Sequence, residues 1–332
     1  MKANAAVAVE ARRVEFLEVD VPDPSDEDIV INTERSWISN GTEGSFIRGE
    51  RIAGDTPRSK SDPLPFPHVP GYQKTGIVTW CGAKVEGFSP GDRVFATVSK
   101  VEGMFYSSGG HISPAVTHYS QVWRLPDSVS MNEASGLVLT QVGYNVGIRP
   151  PVKSGETVIV IGDGMVGHWA AQTFQSRGAR VVIIGKHDER LALFDRNEGD
   201  LVVNLSREKD FVRSGILSNG SVVAVADTVG SIETMESLYP LLRREAHLIS
   251  AGFYGENGKI DIQKMRDREL TLQAPSGWTG ARMRSTLDLL RRKLLKTEHL
   301  ITHRYPAERA TEAFDLVLSR SEPVLGVVLE WT

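Results

Sequence analysis

Residues 157–185 read TVIVIGDGMVGHWAAQTFQSRGARVVIIG, and the pattern in them decides the fold. Thr157 to Ile161 and Arg180 to Ile184 are short runs rich in β-branched apolar side chains, as strands buried on both faces require. Between them a glycine-rich turn at Gly162 opens a helix predicted from about Met165 to Arg177, which Gly178 ends. Strand, helix and strand within about 30 residues form a βαβ unit with parallel strands. The turn is a G-x-G-x-x-G of Gly162, Gly164 and Gly167, with Met165 and Val166 opening the helix. The first glycine permits the tight turn, the second lets backbone amides approach a pyrophosphate, and the third lets helix and strand pack closely. The amides and dipole of the helix N-terminus then hold the phosphate charge. Asp163 puts a carboxylate near that anion, so its side chain is expected to turn away.

Working outward, Leu201 to Asn204, Val222 to Asp227, His247 to Gly252 and Leu270 to Gln273 continue as short apolar runs, alternating with helical segments such as Ile232 to Leu242. Residues 126–274 therefore predict a doubly wound parallel sheet, a Rossmann dinucleotide-binding domain. Asn132 to Val146 reads as a helix leading into it. Residues 1–125 are strand and turn in character: Val14–Val19, Asp28–Thr33, Gly76–Trp80 and Arg93–Val98 are separated by Pro and Gly clusters, which suggests a small barrel-like β domain. Arg48 to Pro70, with five prolines and no periodicity, reads as a long surface loop. Helices around Ala281–Lys293 and Pro306–Ser319 and a strand at Val324–Glu330 follow, and residues 275–332 are expected to complete the first domain.

Composition narrows the function. The chain has 332 residues, about two domains at roughly 100 to 200 residues each. Its 38 basic and 42 acidic residues leave a net charge of −4, so no basic field draws it to nucleic acid or an anionic membrane. The single cysteine, Cys81, excludes an intramolecular disulfide and a multi-cysteine metal site, and fits a reducing cytoplasm. No apolar run has the length of a membrane span or the core of a signal peptide.

The second strand of a dinucleotide fold ordinarily ends in an acid that binds the adenosine ribose of NAD. Here that position is Gly185, followed by Lys186, His187, Asp188, Glu189 and Arg190. Loss of the carboxylate leaves room for a 2′-phosphate, and Lys186 with Arg190 could hold it, so NADP is favoured. The alternative is that Asp188 turns in to bind the ribose of NAD.

Several phrases carry a resemblance. Val85 to Val94, VEGFSPGDRV, Arg124 to Asp127, RLPD, and Leu300 to Arg304, LITHR, are similar to motifs of the medium-chain dehydrogenase/reductase superfamily. Ile38 to Glu43, ISNGTE, and His68 to Gln73, HVPGYQ, most resemble the branch containing the bacteriochlorophyllide dehydrogenase of photosynthetic bacteria. The resemblance implies an α/β fold with a GroES-like β-barrel catalytic domain beside the Rossmann domain, a homodimer, and loops at Asp227 to Gly230 and Gly252 to Tyr254 against the cofactor, with Thr228, Gly252 and Phe253 as contacts.

Zinc members of the superfamily carry C-G-T-D and G-H-E where this chain has Asn40-Gly41-Thr42-Glu43 and Gly71-Tyr72-Gln73. The thiolate becomes Asn40, the imidazole Tyr72 and the carboxylate Gln73, while the third ligand falls among Leu137 to Leu139. An amide, a phenol and aliphatics do not form a zinc site, so no zinc is expected. Tyr72 then replaces the metal as the group that polarises a carbonyl, and Thr42 matches the superfamily's hydroxyl relay. Glu43, Asn40 and Gln73 are expected as hydrogen-bonding neighbours. The competing reading has Tyr72 merely fill the vacated metal pocket, its hydroxyl satisfied by Gln73 or Asn40. His111, after Gly109-Gly110, reads more readily as a surface histidine than as part of the cleft.

The sequence therefore predicts a zinc-independent NAD(P)-dependent oxidoreductase that interconverts a small-molecule secondary alcohol and ketone in a cleft between its domains. Reduction of an activated C=C bond, as in quinone and enoyl reductases, and non-catalytic dinucleotide binding are the alternatives.

Overall fold

The structure is a computed structural model, and it describes residues 1–255 and 258–331. The chain divides into two compact units, Met1–Val138 with Thr297–Thr332, and Leu139–Lys296. These seams lie past the 125 and 274 expected from sequence, because short-range packing carries each unit further. Helix Met131–Ser135 stays with the first unit through Thr75 Oγ1, which donates to Met131 O at 3.0 Å. Lys296 stays with the second, its amide donating to Gln172 Oε1 at 2.8 Å.

In the second unit six strands lie parallel in the order Leu201–Asn204, Arg180–Gly185, Thr157–Ile161, Val222–Asp227, Leu242–Ser250, Thr271–Gln273. The order reverses beside Thr157–Ile161, which places ligands at the carboxyl ends of the strands near that point. Alternation along the central strand explains the two-sided burial. Val158 and Val160 join a core with Ala170 and Phe174, while Ile159 and Ile161 join another with Met235 and Leu248. The helix expected after the glycine turn spans Met165–Ser176. That expected over Ile232–Leu242 runs only to Ser237, since Pro240 cannot continue it and a 3-10 turn follows.

The first unit holds a mixed sheet ordered Val122–Arg124, Arg93–Ala96, Lys74–Cys81, Asp28–Ile38, Gly326–Glu330, Ile301–Pro306, with Ala115–His118 also pairing to Asp28–Ile38. A second sheet joins Ile112–Ser113, Lys2–Glu10 and Arg13–Asp20. Ala3, Ala5, Val7 and Ile112 of the small sheet pack with Ile29, Ile31, Val78 and Val94 of the large one. The expected helix over Asn132–Val146 is broken in two, Met131–Ser135 and Leu137–Ile148, at Gly136, where a Cβ would lie 2.9 Å from the Trp37 ring. Residues 48–70 are not the featureless loop expected. Arg51–Ala53 pairs with Thr56–Pro57, and Arg51 and His68 are buried. The ring of His68 stacks on Phe66 at 5.5 Å and meets Tyr106 edge-on at 5.4 Å. Among the described residues no helix is long and apolar enough to cross a membrane.

Among the buried ionisable groups of this unit is a lysine. Lys74 is 0% exposed and its Nζ donates to Thr97 O at 2.5 Å. Burial pushes its ammonium down to about 7. The unfolded chain therefore holds this proton more tightly than the folded one, and stability present at high pH is lost as the pH falls through 10 towards 7. Urea denaturation between about pH 7 and 10 is expected to show stability rising with pH, and Lys74→Met to flatten that slope.

Candidate functional site

In the second unit the glycine turn has the shape of a phosphate cradle. Gly162 adopts φ +121°, and a Cβ there would lie 2.3 Å from Thr228 Oγ1. A Cβ on Gly167 would lie 2.0 Å from Gly162 O, so helix and turn meet backbone to backbone. Gly164 differs: its Cβ would meet nothing within 4 Å. It also caps the helix without a side-chain hydrogen bond. Open space at Gly164 thus lies at the positive end of a 12-residue helix, a fit for a pyrophosphate.

Asp163 turns away from that cradle, as charge repulsion demands. Its Oδ2 accepts from Lys186 N at 2.8 Å, from His187 N at 2.9 Å and from His187 Nδ1 at 2.9 Å. Arg190 lies 3.5 Å from its Oδ1. Burial works to raise the carboxyl's pKa, but these donors and the imidazole outweigh it and hold it below the usual range. The carboxylate also fills the space beside Gly185, where a Cβ would lie 2.5 Å from Asp163 Oδ2. The room expected at that strand end is therefore partly taken. Lys186 remains exposed, and Asp188 is turned from the cradle, accepting from Asn204 Nδ2 at 2.6 Å.

The loops after the next two strands lock together. Asp227 accepts from the amides of Val229, Gly230 and Ser231 and from Tyr254 Oη at 2.9 Å. A Cβ on Gly252 would lie 2.0 Å from Gly230 N. Thr228 Oγ1 donates to Ile161 O at 2.8 Å, so it braces the glycine turn. Phe253 is half-buried beside this junction, and Val229 presents an apolar side chain that is 58% exposed.

The first unit gathers a second group of polar side chains. Helix Thr42–Ile47 follows strand Asp28–Ile38 directly and presents Thr42 and Glu43 from its first turn. Glu43 reaches back, its Oε1 accepting from Ser39 N at 2.8 Å. Its Oε2 meets His111 Nε2 at 2.8 Å, although 68 residues separate them. Gly71 and Gly110 make that meeting possible. A Cβ on Gly71, at φ +90°, would lie 2.6 Å from the His111 ring, and one on Gly110 would lie 2.2 Å from the Gly71 carbonyl carbon. The expected surface histidine is in fact 0% exposed.

Tyr72, next to Gly71, lies beside Ser39 and Thr42, whose hydroxyls favour its ionised form. Its phenol is pushed up to about 12, chiefly by burial and further by the Glu43 charge, against the pull of those hydroxyls and of Arg51. Arg51 is itself buried and ion-paired to Asp55 at 2.8 Å. Tyr72 thus keeps its proton at neutral pH and serves as a donor. Tyr72, Thr42 and Glu43 come together as expected from sequence, whereas two neighbours turn to the backbone. Asn40 Nδ2 donates to Leu325 O at 2.7 Å, leaving its Oδ1 buried with no partner among the described residues. Gln73 Nε2 donates to Trp37 O at 3.1 Å.

This donor set does not fit zinc. Asn40 and Gln73 offer neutral amides in place of a thiolate and a carboxylate, Tyr72 holds its proton, Glu43 and His111 are spent on each other, and Leu137 to Leu139 are apolar and buried. Among the described residues no group of three or more His, Cys, Asp or Glu is placed to hold a metal ion. Sequence reasoning missed Ser36, Ser39, Arg51 and His111. The signal for His111 was the pair of glycines, Gly71 and Gly110, whose purpose is visible only once both segments are side by side.

Residues 166–292 match the family model of the zinc-binding dehydrogenases. Over its whole length the chain is 25% identical to the 2-desacetyl-2-hydroxyethyl bacteriochlorophyllide A dehydrogenase of Cereibacter sphaeroides, covering 99% of that protein. Among solved structures it resembles an alcohol dehydrogenase of Escherichia coli CFT073 complexed with NADH, with a TM-score of 0.83, 20% identity and 99% of each chain covered. A protein of Sinorhizobium meliloti 1021 described as a zinc-binding dehydrogenase, bound to NADP, gives a TM-score of 0.83 at 18% identity, again over 99% of each chain.

The three glycines of the cradle separate packing from binding. Gly164→Ala is expected to keep the wild-type thermal midpoint but to weaken dinucleotide binding by at least about tenfold, since only a ligand meets the new methyl. Gly167→Ala is expected to lower the midpoint by several degrees, because its Cβ meets backbone. Calorimetry and cofactor fluorescence titration on both variants read the two effects apart.

Proposed function

Because the chain belongs to the medium-chain dehydrogenase/reductase superfamily and is an NAD(P)-dependent oxidoreductase, we propose that it works without zinc, interconverting a secondary alcohol and a ketone with Tyr72 as the proton donor. The observation that carries this reading is the buried Tyr72 hydroxyl, protonated at neutral pH and set beside the hydroxyls of Ser39 and Thr42 where zinc relatives hold a metal ligand. Its relative from Cereibacter sphaeroides is named for a hydroxyethyl group in place of an acetyl group, an alcohol and ketone pair of this kind.

A bound nicotinamide would supply or accept the hydride. The amides of Met165, Val166 and Gly167 would hold its pyrophosphate, and the exposed Val229 would offer an apolar surface to a ring. In the reducing direction Tyr72 Oη donates a hydrogen bond to the substrate carbonyl oxygen and gives up its proton as negative charge develops there. Thr42 Oγ1, half-buried at the start of its helix, relays a proton from solvent back to Tyr72. Glu43, fixed by Ser39 N and His111, keeps the equilibrium on the side of protonated Tyr72. A donor so firmly protonated suits ketone reduction better than alcohol oxidation, where Tyr72 must act as a base.

NADP is the favoured cofactor, with NAD possible. Lys186 is exposed and available to a 2′-phosphate, and Asp163 is ion-paired to Arg190 and hydrogen-bonded by His187. With its lone pairs taken by three donors, Asp163 is poorly placed to replace the missing ribose acid. A second copy of the chain is the expected partner. The edge strand Thr271–Gln273, with Leu272 41% exposed, and Ile262, 67% exposed, support a homodimer through the cofactor-binding unit.

Two measurements test this reading. In steady-state ketone reduction Tyr72→Phe is expected to lower kcat by about 10²-fold or more with cofactor binding unchanged, the usual scale for a lost proton donor. A variant that turns over almost as fast as wild type contradicts it and points to C=C reduction. Lys186→Ala is expected to weaken NADPH by a few-fold while leaving NADH unchanged, as one exposed charge contact would; equal effects on both cofactors contradict the NADP preference.

A further inference from the structure

We propose that Trp331 is a positioning residue for this site: through Ser36 it keeps the proton of His111 on Nε2, and so holds the Glu43 carboxylate in place beside Tyr72. The inference rests on the reading of Tyr72 as the proton donor and extends it to a residue that touches neither substrate nor cofactor.

Four contacts run in series. Trp331 Nε1 donates to Ser36 Oγ at 2.8 Å, Ser36 Oγ meets His111 Nδ1 at 2.8 Å, His111 Nε2 meets Glu43 Oε2 at 2.8 Å, and Glu43 Oε1 accepts from Ser39 N at 2.8 Å. Ser36 and His111 are 0% exposed, Glu43 is 2% and Trp331 is 7%, so water does not complete the set. Strands Asp28–Ile38 and Gly326–Glu330, which pair antiparallel, bring Trp331 to Ser36.

Directions follow from what each group can do. An indole nitrogen only donates, so Ser36 must accept from Trp331. A hydroxyl has one hydrogen, and in this arrangement it points to His111 Nδ1. Were the ring to donate from Nδ1 instead, the Ser36 hydrogen would be left buried without an acceptor, a costly state. Nδ1 is therefore the acceptor and Nε2 carries the proton, aimed at Glu43. The carboxylate then receives a hydrogen bond on each oxygen, from Ser39 N and from the ring. Its charge, which acts on Tyr72, is held in one orientation. The Phe314 ring, edge-on at 5.7 Å, and Gly71 keep the imidazole from turning.

The test reads the tautomer directly. The full chain is labelled with ring-15N histidine, and His111 is identified among the 8 histidines by its through-space contact to the Phe314 ring. Long-range proton–nitrogen spectra of the wild type are expected to show a proton on Nε2 and a bare Nδ1. Trp331→Phe keeps an aromatic ring against Phe16 but removes the N–H. In it a proton is expected to appear on Nδ1 in part of the population, with kcat for ketone reduction falling several-fold and KM unchanged. A wild-type Nδ1 that carries a proton overturns the proposal. So does a Trp331→Phe spectrum identical to wild type, or a changed spectrum with unchanged kcat. If the variant does not fold, the wild-type spectrum still decides the tautomer. Absence of any ketone turnover in the wild type counts instead against the reading of Tyr72, because the spectrum needs no substrate.

Discussion

Glu43 and His111 meet at 2.8 Å in a space from which water is excluded, and the first unit is shaped around that contact. A buried carboxylate is tolerable only where donors surround it. The segments at residues 71 and 110 come close enough to supply one because neither position has a side chain. Tyr72 is carried to the same place by its bond to Gly71. A metal site and this network are alternative uses of one location: the first needs lone pairs pointing at an empty centre, whereas here both oxygens of Glu43 already accept hydrogens from neighbouring groups.

The two units divide the chemistry. In Leu139–Lys296 the proposed dinucleotide binding falls mainly to backbone, a helix start and glycines at close crossings that suit a phosphate without a side-chain charge. In the other unit the proposed chemistry falls to side chains that touch or influence one another: Glu43 adds to burial in raising the Tyr72 phenol, Glu43 meets His111, and His111 meets Ser36. Asp163 joins the two styles. A carboxylate that would repel a phosphate if it faced the cradle becomes, once turned to residues 186–190, the anchor of the next strand end.

What could be read from sequence follows from the range of the interactions. The parallel sheet was legible because a strand buried on both faces is apolar along its whole length, and the glycine turn because its three glycines act within six residues. Break points were harder. Nothing near Gly136 announces that the Trp37 ring lies against it, so one helix was expected where two stand. The proline-rich residues 48–70 lacked periodicity, yet Arg51 and His68 are held inside by partners that local pattern does not reveal. Tyr72, Thr42 and Glu43 were legible only through resemblance to zinc-binding relatives. His111 was misjudged because its partner is 68 residues away, and Asn40 and Gln73 because a free amide and one bonded to a carbonyl look alike in sequence.

The central claim is that a protonated tyrosine acts where relatives hold a metal. Elemental analysis of the catalytically active protein, before and after dialysis against a strong chelator, tests it most directly. The account predicts far less than one transition-metal ion per chain and the same turnover after chelation. About one tightly held zinc per chain, with activity lost on its removal and restored on its return, would contradict it.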